Sequence, residues 1–298
     1  MDKQTVSDYK KAGEIAKEMQ EYAKKNLKVN TNLYDFAEKI EAEMKKKGGA
    51  PAFPINLSDK NVAAHYTPSF ESEDIVEEDS IIKVDIGVHV NGFIADSAFT
   101  IDFSGKYSEM VKASEEALEE AIKLFKEGAH VGKLGEAIES KIKSKGFMPI
   151  QNLSGHGVDE YDAHVAPNIP NVGTNDSRIL EDGMAIAIEP FATNGKGFVH
   201  EGSQAEIFQV EETTPLRNKE ARKILEHITE KYSTLPFAER WIQRDLELSE
   251  FARKVGFREL MLKKCISAFP LLKEEENKIV TQTETTLLLN EGKVIRLL

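Results

Sequence analysis

The sequence predicts an α+β protein, an antiparallel sheet with flanking helices. Three observations point there. Helical and strand patterns come in blocks instead of alternating one for one, which argues against a parallel, doubly wound sheet. The segment IIKVDIGVHVNGFIADSAFTIDF alternates apolar and polar residues on both sides of Asn91-Gly92, the strongest short hairpin signal. The chain has 298 residues, 40% of them apolar, enough to bury a sizeable core.

The elements follow in order. Residues 5–26 carry a helical stripe of Val6, Tyr9, Ala12, Ile15, Ala16 and Met19. A second helix is expected over 32–47. Thr31 and Asn32 offer its N-cap, Gly48 and Gly49 end it, and Pro51 and Pro54 follow. In the hairpin, Val84, Ile86, Val88 and Val90 face one way, and Asp85, Gly87 and His89 the other. Residues 108–127 and 132–145 read as amphipathic helices, with Gly146 after the second. AIAIEPF (185–191), AEIFQV (205–210) and VTQTETTLLL (280–289) read as further strands. Between the last two, residues 217–266 are mostly helical and hold Trp241, the single tryptophan; they read as an inserted helical subdomain. No repeat at a solenoid period and no low-complexity tract interrupts the chain.

Composition narrows the function. A net charge of −12 repels phosphate backbones, so nucleic acid is not expected as the main ligand. The lone Cys265 allows no internal disulfide and fits a reducing, cytoplasmic setting. The N-terminus, MDKQTVSDYKKAGEIAKEMQ, has no apolar h-region and reads as a helix rather than a signal peptide. No run approaches the ~18 apolar residues of a membrane span, so no membrane association is expected.

The hairpin carries the first chemical signal. With Asn91 and Gly92 as turn residues, Val90 pairs with Phe93 and Gly87 faces Asp96. Asp85 and Asp96 then share a face as diagonal neighbours, with Cβ atoms somewhat under ~7–8 Å apart. Two carboxylates at ~5 Å repel by roughly 3 kcal/mol at an effective dielectric near 20. Either both point into solvent, or a proton or cation lies between them. Glu189 ends an apolar run ahead of Pro190, where burial is costly unless the carboxylate is paired or coordinated. Glu284 shares a face with Val280, Gln282 and Thr286; taken alone it reads equally as an exposed edge-strand glutamate. His156, in LSGHG, reads as a loop histidine whose flanking glycines allow close approach of a ligand. Four carboxylates and one imidazole balance two divalent ions and suit Mn²⁺, Fe²⁺ or Co²⁺ better than a sulfur-rich structural zinc. Two such ions ~3.5–4 Å apart can hold a bridging hydroxide and polarise a carbonyl, which is the chemistry of an amide or ester hydrolase.

VDIGVHVNGFIADSAFT, LSGHG, AIEPF and TQTETT resemble the metal-binding segments of type 2 methionine aminopeptidases, the archaeal and eukaryotic branch of the pita-bread M24 metallopeptidases. The resemblance covers essentially the whole chain. It implies the pita-bread fold, with residues 1–210 and 271–298 as the catalytic domain and 211–270 as the inserted type 2 subdomain. It implies removal of the N-terminal methionine from nascent chains and peptides by two-metal hydrolysis, a bridging water or hydroxide being the nucleophile and a small second residue preferred. Asp85 would bind the first metal, Asp96 and Glu284 both, and His156 and Glu189 the second. The ions would be cobalt, manganese or iron, with zinc as an alternative. His164, in YDAHVAP, would hydrogen-bond the scissile carbonyl, and His65, in AAHYTP, the substrate backbone. Glu189 would shuttle the proton. Phe53, Phe191 and Phe269 match aromatic pocket positions, where thioether contacts favour methionine; their alternative is ordinary core packing. Two positions depart from some relatives: Ala163 stands where they carry isoleucine, and Ile207 where they carry histidine. Pocket width is therefore left open. A monomer with transient ribosome association is implied as well.

Two rivals stand beside this reading. An Xaa-Pro peptidase of the same fold carries a large extra N-terminal domain, for which the segment ahead of Asp85 is too short. A non-catalytic, ribosome- or RNA-associated relative would lose metal ligands, and all five are here.

Overall fold

The computed structural model describes residues 1–298. Two helices open the chain, α1 (Lys3–Asn26) and α2 (Leu33–Lys46). The Asp2 side chain caps α1 by accepting from the Thr5 amide, and Asn32 caps α2 by accepting from Asp35. Their apolar stripes, with Ile15 and Met19 on α1 and Phe36 and Ile40 on α2, pack on Val84, Ile86 and Val88 of the hairpin. That packing turns the other hairpin face, with Asp85 and Asp96, towards the middle of the molecule.

The hairpin strands, Ile81–Val90 and Phe93–Asp102, pair as expected from the turn: Val90 faces Phe93 and Gly87 faces Asp96. Asn91 and Gly92 both take positive φ, 52° and 92°, as a type I′ turn requires. On the far side, α3 (Ser108–Leu124) and α4 (Val131–Ser144) cover a five-stranded sheet. Their core includes Leu118 and Ile138 from the helices and Ile186, Ile188 and Leu287 from the sheet. Every paired strand runs antiparallel to its neighbour. The fold is thus α+β, with helix pairs outside and sheets facing each other inside. No helix is long and apolar enough to cross a membrane.

A third group of elements follows Ile207–Val210. Helices α5 (Lys219–Tyr232), α6 (Glu239–Asp245) and α7 (Glu250–Leu262) share a core of their own around Phe208, Ile224, Phe237, Trp241 and Phe257. The strand Ile207–Val210 pairs with Phe237–Ala238 and Ile266–Phe269, tying that core to the cleft.

Three segments differ from their expected form. The run at 185–191 is two strands, Ala185–Ile188 and Phe191–Thr193, broken at Glu189 and Pro190. The run at 280–289 is likewise Val280–Gln282 and Thr285–Asn290, broken at Thr283 and Glu284. Pro190 has no N–H for the ladder, and its carbonyl accepts instead from the Thr283 amide. LSGHG is not a loop: His156 lies in the strand Ser154–Asp159. A Cβ on Gly155 would sit 2.3 Å from the Ala187 carbonyl, so the glycines there serve tight strand packing.

Candidate metal centre and cleft

The two strand breaks carry the two glutamates. Ile188 pairs with Thr285 and Phe191 with Gln282, so one register runs through the break and sets Glu189 across from Glu284. The Glu284 amide donates to the Ala98 carbonyl at 2.9 Å, which docks this junction on the hairpin two residues beyond Asp96. The Thr286 hydroxyl accepts from the Asp96 amide and donates to the Asp96 carbonyl, both at 2.8 Å. Asp96 therefore cannot slide along its strand without breaking two bonds. His156 pairs with Ala187, two residues before Glu189 and on the same face.

These elements bring Asp85, Asp96, His156, Glu189 and Glu284 together at the base of one cleft. His156 Nε2 lies 3.8 Å from Asp96 Oδ2 and 3.7 Å from Glu189 Oε1. Its Nδ1 sits 3.1 Å from the Gly157 carbonyl, which assigns the proton to Nδ1 and leaves the Nε2 lone pair facing the carboxylates. Burial holds the imidazole neutral, its pKa lowered to about 4.

The carboxylates are under strain from each other. Burial pushes Asp85 up to about 7. Asp96, Glu189 and Glu284 are raised well above the ordinary range, by burial first and then by one another's charge. No lysine or arginine bridges them. Their nearby donor is Gln282 Nε2, 3.3 Å from Glu189 Oε2 and 3.4 Å from Glu284 Oε2. Asp85 Oδ1, Asp96 Oδ1 and Glu284 Oε1 are buried without any partner. Orphaned buried acceptors of this kind call for a cation. Asp96, His156 and Glu284 each offer a ligand atom, all within 4.8 Å of one another. Oxygen donors with one imidazole suit a divalent first-row ion.

The walls above this base are aromatic. Phe53 lies over Gly87, where a Cβ would come 2.2 Å from its ring. Phe191 and Phe53 are buried, and Phe269 is half-buried. With Ile207 they line a cavity of about 290 Å³. His65 and His164 stand at its rim. His164 is exposed there, its ring 4.2 Å from that of His156 and stacked 6.2 Å from Phe269. The protein around the cleft lowers its pKa, with His156 and His65 adding to the effect. His65 takes φ 68°, places Nδ1 3.1 Å from the Pro270 carbonyl and meets the Phe269 ring edge-on at 5.5 Å. Burial lowers its pKa too.

The sequence model of metallopeptidase family M24 matches residues 7–214. The methionine aminopeptidase of Methanocaldococcus jannaschii is 40% identical over 283 residues, 95% of either chain. The chain belongs to metallopeptidase family M24. Within it, the chain is a methionine aminopeptidase, removing N-terminal methionine from polypeptides. Solved structures share its fold. A thermophilic Arx1 superposes with a TM-score of 0.87 at 18% identity, covering all of this chain and 91% of its own. The methionine aminopeptidase of Thermotoga maritima gives 0.71 at 21% identity, covering all of this chain and 97% of its own. As an M24 metallopeptidase the chain binds divalent metal, and the buried Asp96–His156–Glu284 group is where the geometry suits it.

Two neighbours of the centre had no role in the sequence reading. Gln282 reaches both glutamates, and Thr286 fixes the Asp96 backbone. Both lie on the face named for Glu284, and a polar pair flanking a strand glutamate was their only signal.

Proposed function

We propose that Asp85, Asp96, His156, Glu189 and Glu284 together hold two divalent ions, cobalt, manganese or iron, above which the N-terminal methionine of a polypeptide binds. The observation that carries this reading is the set of four carboxylates with a neutral imidazole, its buried oxygens unpartnered, beneath an aromatic cleft. Four negative charges match two divalent ions. When bound, the ions supply Lewis acidity to the scissile carbonyl and acidify the attacking water. The chain's own groups do the rest. A Glu189 carboxylate oxygen takes the water's proton and hands it to the departing amine. His164 donates to the carbonyl oxygen as negative charge builds on it. His65, at the rim of the cleft, binds the substrate backbone. Phe53, Phe191 and Phe269 receive the thioether side chain, where sulfur–aromatic contact favours methionine. A small second residue is preferred.

Residues 211–270 are read as an inserted unit that supplies one cleft wall through Pro236 and Phe269. The enzyme is read as a monomer acting on nascent chains with transient ribosome contact. Mass spectrometry of a Met-X peptide library tests the chemistry. Cleavage stops on chelation and returns with Mn²⁺, Fe²⁺ or Co²⁺, and it is greatest for small X. Undiminished cleavage after metal removal, or faster turnover of Xaa-Pro dipeptides, overturns the reading.

A further inference from the structure

Arg240, at the start of α6, is the bulkiest side chain that the fold buries completely. Its Nε donates to Glu38 Oε1 at 3.2 Å, its Nη1 to Thr67 Oγ1 at 2.5 Å, and its Nη2 to Glu41 Oε1. Glu41, 2% exposed on α2, also accepts from Trp241 Nε1 at 2.8 Å and from the Ile55 amide at 3.2 Å. Two of these partners adjoin cleft-lining residues in the chain. Ile55 is two residues past Phe53, and Thr67 two past His65. Arg240 and Trp241 follow Phe237–Ala238, the strand paired with Ile207–Val210. Neither Arg240 nor Glu41 itself lines the cleft.

A fully buried ion pair adds little net stability, because desolvation offsets the attraction. What it does impose is geometry: a guanidinium fork and its acceptors tolerate few distances and angles. We infer that the Arg240–Glu41 pair is the positioning element of the cleft, holding the Phe53 wall at a fixed separation from the His65–Phe269 wall and so setting the width of side chain accepted. The inference rests on the proposed seating of methionine among Phe53, Phe191 and Phe269. One methylene is discriminated by roughly 10–200-fold only where a pocket fits closely. A displacement of ~1 Å is enough to lose such a fit.

The test replaces both charges at once, Arg240→Met with Glu41→Leu, so that neither is left buried and unpaired. Metal content should match the parent, and kcat on Met-Ala-Ser should stay within about threefold, while KM rises about tenfold and the preference for Met over Leu at the first position falls about tenfold. Thr67→Val removes one bond at nearly constant volume, and Trp241→Phe removes one bond together with part of the indole ring. They should shift KM and selectivity in the same direction, and they decide the matter if the double variant does not fold. Folded variants that keep the parent KM and selectivity, or lose kcat only in step with metal, overturn the inference. Phe53→Ala separates the two readings. Unchanged Met selectivity there overturns the pocket itself; altered selectivity there, with none in the pair variants, overturns the positioning role alone.

Discussion

Asp96 is fixed through its backbone by two bonds to Thr286, while its carboxyl, beyond a bond from the Ser97 amide, stands in a crowd of like charges. That contrast separates its effect on chemistry from its effect on folding. Asp96→Ala should lower kcat/KM by about 10²-fold or more, since an electrostatic group at the reacting centre is worth at least that. The same change removes one of four mutually repelling charges, so the metal-free variant should melt above the metal-free parent at pH 8. Near-normal turnover would remove Asp96 from the proposed metal cage. His164 offers the complementary case. Its ring reaches the cleft but none of the carboxylates bonds it, so His164→Ala should bind Mn²⁺ as tightly as the parent while kcat drops about 10²-fold. Single-turnover rates beside a metal titration check both halves, and an unaltered kcat would cancel its role as oxyanion donor.

At the scale of elements, the hairpin was the most legible part of the chain. A two-residue Asn-Gly turn leaves one register, and one register places every side chain on its face. The glutamate junctions were less legible. Apolar runs such as AIAIEPF look continuous whether or not the strand changes sheets, and only Pro190 hinted at the break. From sequence His156 reads as a loop residue because glycines usually mark loops. Here they mark close packing, since the missing Cβ atoms let Ser154–Asp159 approach its neighbours. Short strands such as Val62–Ala64, which leads into His65, have too few residues to show a period at all. The packing argument gives a prediction. Gly155→Ala would set a Cβ 2.3 Å from the Ala187 carbonyl, forcing apart the strand that bears His156 and the strand that leads to Glu189. Overpacking of this kind costs about 1–3 kcal/mol. Thermal unfolding should show that loss, and metal affinity should fall about tenfold or more through the displaced imidazole. A variant with native metal affinity would show that the two strands can part without moving the centre.

For the whole molecule, the buried charges make stability depend on pH in a way the metal should remove. A carboxyl whose pKa is raised on folding holds its proton in the native state after the unfolded chain has released it. Stability then falls as pH climbs from the ordinary carboxylate range through the raised value. Asp85, Asp96, Glu189 and Glu284 all act in that sense. The buried histidines act in the opposite sense: His156 and His89, lowered to about 4, remain neutral in the native state while the unfolded chain still binds protons up to about 6.5. Between pH 4 and 6.5 the two sets therefore oppose each other. Above about 6.5 the histidines have finished titrating, and the carboxylates, with Asp85 crossing at about 7, are opposed chiefly by buried Lys83, whose pKa burial lowers to about 7 so that the native state sheds its proton first. One proton of difference is worth about 1.4 kcal/mol per pH unit. A chain of this size shifts by roughly 2–4 °C per kcal/mol. Where the raised carboxyls outweigh Lys83 by one proton, metal-free protein should thus lose about 3–6 °C of melting temperature per pH unit above 6.5. Adding Mn²⁺ should remove that slope, because the ion replaces the proton as the partner of the carboxylates, and it should raise the melting temperature more at pH 8 than at pH 6. A flat metal-free profile above pH 6.5 in a Lys83→Met background, where the opposing lysine is gone, would mean that the carboxylates ionise without penalty, and the case for a cation at the base of the cleft would lose its electrostatic footing.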